Sequence, residues 1–165
     1  MKARQLTALV VVSLVLILVI APGSAGAGST WTSCRGTEQN QVILDHGTWV
    51  VRGDTLHGRG MVSTYEEFSD CPQLGGLNIV TMNANWDLNG VGPMWGSGRL
   101  ESNYNGGGVW EGSWQGAIGA DGTCTYKAVV HGVSGSVKGL KSFVFADCSG
   151  VVTTFTAILL DPGGE

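Results

Sequence analysis

From Val80 the chain alternates: Val80, Met82, Ala84, Trp86 and Leu88 are apolar, while Thr81, Asn83, Asn85 and Asp87 between them are polar. Successive side chains of a strand point to opposite faces, so this spacing sets one face of a strand against a core and the other in water. No segment after Gly28 offers the competing pattern, apolar residues at helical spacing over three turns. Glycine, present 27 times, interrupts nearly every window where such a pattern could begin. A helical domain is thereby excluded.

The same test places Trp110, Gly112, Trp114, Gly116 and Ile118 on one face, with Glu111, Ser113 and Gln115 on the other. Cys124, Tyr126, Ala128 and Val130 oppose Thr125, Lys127 and His131, and the runs 140–146 and 151–160 are rich in β-branched and aromatic residues. Earlier runs at 42–52, 56–68 and 94–102 alternate less cleanly but are bounded by Gly and Asp. Asn89-Gly90, Asn105 to Gly108, Asp121-Gly122 and Gly132 to Ser136 mark short hairpin turns, so neighbours in sequence become neighbours in space. About eight strands joined in this way predict an all-β fold, an antiparallel up-and-down barrel, with a β-sandwich as the alternative. Barrel closure removes edges, and Gly96, Gly98, Gly112 and Gly116 inside strands supply the bends a small barrel needs.

Ahead of this region lie Lys2 and Arg4, then Leu6 to Ala21 without a charge, then Pro22-Gly23 and the small residues Ala25-Gly26-Ala27. That order reads as a signal peptide over residues 1–27, leaving a single domain over 28–165 in an extracellular or periplasmic compartment. An uncleaved membrane anchor is the alternative. Its sixteen uncharged residues fall short of the roughly 20 that cross a bilayer core, so no stable span is expected once the leader is removed. Two of the nine basic residues belong to the leader, and the remaining seven against 13 acidic ones give a net charge of −6. Clustered Lys and Arg, which phosphate-backbone binding requires, are missing, so nucleic acid is not an expected partner.

All four cysteines, Cys34, Cys71, Cys124 and Cys148, lie beyond the leader, and an even count in an exported chain reads as two disulfides. Three pairings are open. Cys124 and Cys148 flank two strand-like runs centred on Ser136, and opposed across a hairpin they can bridge, which leaves Cys34 with Cys71. There is no C-x-x-C pair, and His46, His57 and His131 are scattered, so neither a metal nor a cofactor is expected.

The residues Trp95-Gly96-Ser97-Gly98-Arg99-Leu100, then Gly107 to Gly116 with Trp110 and Trp114, then His131-Gly132 and Gly139-Leu140 resemble the punctuation of allene-oxide-cyclase-like barrels. These are calycin relatives near the dirigent proteins. The resemblance runs over about residues 40–160 in strand order. It implies an eight-stranded barrel with a central cavity, in a family whose members include cyclases acting on a hydrophobic oxylipin. No catalytic position of that family is matched residue by residue.

Candidate chemistry is sparse. Glu111 lies between two tryptophans, but the alternation puts it on the opposite, solvated face. Glu66 and Glu67 are adjacent, point to opposite faces and cannot act together on one substrate atom. No G-x-S-x-G is present, and the G-x-G pairs lack the third glycine and the helix of a phosphate site. The aromatic residues carry the strongest functional signal. Trp86, Trp110 and Trp114 share the apolar phase with Met82 and Tyr126, and Gly112 and Gly116 flank the rings on the same face, leaving room for a ligand. These five residues form the expected binding site of a small apolar or ring-shaped molecule in a Trp-lined interior. The alternatives are an isomerase or cyclase, marked by an inward carboxylate or His, and a carbohydrate-binding surface module using Trp31, Trp49 and Trp95.

Overall fold

The computed structural model describes residues 28–163, so the leader expected over 1–27 lies outside the described residues. Nine strands follow one another: β1 (Thr30–Asp45), β2 (Thr48–Arg52), β3 (Thr55–Ser69), β4 (Gly76–Asp87), β5 (Gly92–Ser102), β6 (Gly108–Ile118), β7 (Cys124–Gly135), β8 (Lys141–Asp147) and β9 (Thr153–Asp161). Every pairing is antiparallel, and from β2 to β9 each strand pairs with its successor. β1 pairs with β9 on one side and with β3 on the other, which closes eight strands into a ring. β2 stands outside the ring and pairs with β3 alone. The fold is the all-β, up-and-down barrel arrangement that the alternation implies, not a two-sheet sandwich.

Two early segments differ from the sequence reading. The run 42–52 is broken at His46-Gly47, where Gly47 turns with φ +64 and leaves no room for a Cβ beside the Arg59 carbonyl. Residues Thr30 to Gln41, which the alternation did not mark, make up most of β1. This stretch is polar because its outer side faces water, and its pairing is set by β9 far along the chain.

The ring is plugged at one end. A 3₁₀ turn at Pro72–Leu74 links β3 to β4, and its Leu74 is only 2 % exposed. Trp110, fully buried, donates its indole N–H to the Gln73 carbonyl at 2.8 Å. Cys34 of β1 is bridged to Cys71, the residue that caps the turn. Around them pack Leu100, Val137, Phe155, Ala157 and Leu159. The second bridge joins Cys124 to Cys148 across the β7–β8 hairpin, whose register of Thr125 with Asp147 is centred on Ser136. Both pairings are those the hairpin argument favoured.

Three of the four strand glycines act as close-approach points. A Cβ at Gly96, Gly112 or Gly116 would strike the carbonyl oxygen of Thr81, Val129 or Thr125 on the adjacent strand. At Gly98 the nearest atom is Asn78 Oδ1 at 3.5 Å, an ordinary contact.

The Cys34–Cys71 link spans 37 residues and the Cys124–Cys148 link 24. Loop-closure entropy makes them nearly equal, about 3–4 kcal/mol each. Because the first link also pins the plug, the Cys34→Ala/Cys71→Ala double variant is expected to lose more stability than Cys124→Ala/Cys148→Ala in urea titrations followed by tryptophan fluorescence. Equal losses would show that Leu74 and Trp110 hold the plug without the bridge.

Candidate functional site

Inside the ring lies a cavity of about 190 Å³. An apolar cavity of roughly 150 Å³ accommodates one benzene, whereas sites for drug-sized ligands run to about 300–1,000 Å³. The lumen is therefore sized for one ring or a short chain. Leu74 and Trp110 line it at the plugged end, and Cys124, Cys148 and Thr153 line it where β7 and β9 begin and β8 ends.

Of the five residues expected to form the site, Met82, Trp110, Trp114 and Tyr126 line this cavity. Trp114 and Tyr126 meet edge-on with ring centroids 5.8 Å apart, and the missing Cβ of Gly96 makes room for the Trp114 indole nitrogen. Trp110 is as much core as wall, since its N–H is tied to the plug. Trp86 is a correction. It shares the phase of Met82, but it packs on Trp49 of β2, ring centroids 5.4 Å apart, and does not line the cavity. The inward face of β4 extends past the lumen, and the β2–β3 hairpin covers the excess.

A second correction concerns Gly112 and Gly116. The positions that their side chains would take run into β7 backbone, so these glycines bring β6 and β7 together; Gly112 also lines the lumen, and Gly116 does not. The expected surface platform is not assembled either. Trp49 stacks on Trp86 and donates to the His46 carbonyl at 2.7 Å, Trp95 lies beneath the Arg59 guanidinium at 5.2 Å, and Trp31 alone, 62 % exposed, is open.

The polar wall of the lumen comes from residues the sequence reading did not bring together. Glu38 on β1 and Glu67 on β3 are directly opposite each other across the seam that closes the ring. Both line the cavity with Tyr65, Tyr126 and Asn78. Tyr126 Oη donates to Glu38 Oε1 at 2.6 Å, Asn78 Nδ2 donates to Glu67 Oε1, and Gln41 Nε2 donates to Tyr65 Oη at 2.6 Å. Glu66, on the other face of β3, accepts from Asn40 Nδ2 at 2.7 Å. The opposite-face reading of Glu66 and Glu67 therefore holds, and the partner of Glu67 is Glu38. Glu111 is exposed and pairs with Arg99 at 2.9 Å on the outside.

Burial, and then the charge of Glu38, pushes Glu67 well above the ordinary carboxylate range. Burial also raises Glu38, against the donated bond from Tyr126. The Tyr126 hydroxyl is pushed far up by burial and then by the Glu38 charge, so it remains a donor. Two carboxyls in one desolvated space cannot both ionise cheaply, and they titrate as a coupled pair in which the second proton is harder to remove than the first. Among the described residues lining the lumen there is no Lys, Arg or His to offset the remaining charge.

No protein-family model matches the chain, and no curated protein or solved structure matches it either.

The carboxyl pair sets an unusual pH dependence. Its folded titration lies above the ordinary 4.5, so the native state binds protons more tightly than the unfolded chain. Its contribution is full below about pH 4.5 and is lost as the pH rises through the raised titration. Asp87, Asp121 and Asp147 act in the opposite sense. Bonds from the Val91 backbone, the Thr123 side chain and the Ser149 backbone lower them, so their contribution fades as the pH falls below about 3.8. The urea midpoint is expected to fall from about pH 5 to about pH 8, and Glu67→Gln to flatten that slope. A wild-type midpoint that rises over this interval would exclude a desolvated pair.

Proposed function

We propose that this protein is an exported binder that holds a small, mainly apolar molecule inside its ring. The observation that carries the reading is the lumen of about 190 Å³, apolar over most of its wall and polar at one seam. Met61, Met82 and Met94 line it with Trp114, and methionine adapts its shape to varied ligands. Two disulfides suit an oxidising compartment, and no helix among the described residues is long and apolar enough to cross a membrane. Kinship with allene-oxide-cyclase-like barrels is part of the proposal and rests on the Gly and Trp punctuation together with the ring of eight strands.

A second reading has a specific observation in its favour. The inward carboxylate that would mark an isomerase or cyclase is present, as Glu38 opposite Glu67. A pair holding one proton can accept a proton at one atom of a substrate and deliver one at another, which is the requirement for moving a double bond or closing a ring. Glu67→Gln separates the two readings, because it removes the exchangeable proton pair while leaving the apolar wall. A carbohydrate platform has less support, since Trp49 and Trp95 are both covered.

Gly98 provides the test of the site. Gly98 lines the lumen and a Cβ there meets only Asn78 Oδ1, at 3.5 Å, so Gly98→Leu fills the cavity without a backbone clash. Indole is expected to raise the Tm of the wild-type chain and to leave that of Gly98→Leu unchanged in thermal-shift measurements. An equal shift in both would place binding elsewhere.

A further inference from the structure

We propose that the lumen selects a small organic cation, a one-ring or short-chain amine, with its ammonium group at the Glu38–Glu67 seam and its apolar body against Trp114, Met82 and Met94. This rests on the lumen being the binding site and specifies the chemistry it accepts.

The groups facing the seam decide the sign of the ligand. From β1 comes Glu38, from β3 Tyr65 and Glu67, from β4 Asn78 and from β7 Tyr126. Tyr126 gives its hydroxyl proton to Glu38, and Asn78 gives one amide N–H to Glu67, while Tyr65 accepts from Gln41. What remains is an excess of acceptor oxygen, since an ionised carboxylate offers about four lone-pair sites and an ammonium brings three N–H donors. A ligand carboxylate or phosphate would enter a space that has two carboxyls and, among the described lining residues, no cation. One unit of charge repulsion at about 4 Å and an effective dielectric near 20 corresponds to a factor of roughly 1,000 in binding. For a cation the corresponding attraction is offset in part by the desolvation of its ammonium group.

The rings strengthen the case. Trp114, Tyr126 and Phe155 line the same small volume, and aromatic faces attract an ammonium that has left water. With about 190 Å³ available, the body of the ligand is limited to one ring or its equivalent. An ammonium at the seam favours the ionised carboxylates, so binding lowers their titration from its raised position.

Isothermal titration of the full chain at about pH 7.5 with benzylamine, toluene and benzoate tests this. Benzylamine is expected to bind at least about 10-fold more tightly than toluene and at least about 1,000-fold more tightly than benzoate. Glu38→Gln/Glu67→Gln is expected to bring benzylamine down to the affinity of toluene and to leave toluene unaltered. The double variant removes a like-charge pair, and a thermal melt verifies its fold. Toluene or benzoate binding as well as benzylamine to the wild-type chain would overturn the amine proposal, and loss of that toluene binding in Gly98→Leu would keep the lumen as the site. Binding of none of the three would overturn both readings.

Discussion

The pairing of β1 with two partners is the constraint from which the rest follows. Without it the chain is an open meander from β3 to β9 with two bare edges and one solvated inner face. With it, the inner faces of eight strands enclose one volume, the plug turn has an end to cover, and the cysteine at position 34 is held against Cys71. Closure also brings Glu38 and Glu67 face to face, an arrangement that a sheet selected for stability alone would avoid.

That conflict is informative. Like charges opposite one another on a strand pair destabilise it, and burying them adds desolvation to repulsion. The lumen nevertheless surrounds them with Tyr126 and Asn78 as donors rather than with a neutralising cation. Sites of function are where local rules of stability are commonly broken, and at this seam a strand-pairing rule and a burial rule fail together.

Much of this architecture is legible in the residues. The strict alternation of β4 and β6 and the hairpin turns between them require no long-range information, and the centre of the β7–β8 hairpin at Ser136 even selects the Cys124–Cys148 bridge. β1 was hidden because its inward positions are Cys34, Gly36 and Glu38, which no apolar alternation reveals. The phase of Glu67 is readable from Ser63 and Tyr65, four and two residues before it on the same face, but its partner depends on register across a seam between two separate segments. Trp86 failed as a lining residue for a related reason: strand phase tells which face a side chain occupies, and only the lengths and stagger of neighbouring strands tell what lies opposite it.

The double pairing of β1 also sets how much chain each closure must bring together. Glu38 and Glu67 meet through the β1–β3 pairing, between segments close in sequence, whereas the β1–β9 pairing joins the first described strand to the last. Closing a long stretch of chain costs more conformational entropy than pairing near neighbours. The β1–β9 seam that completes the ring is therefore its costliest pairing in chain entropy.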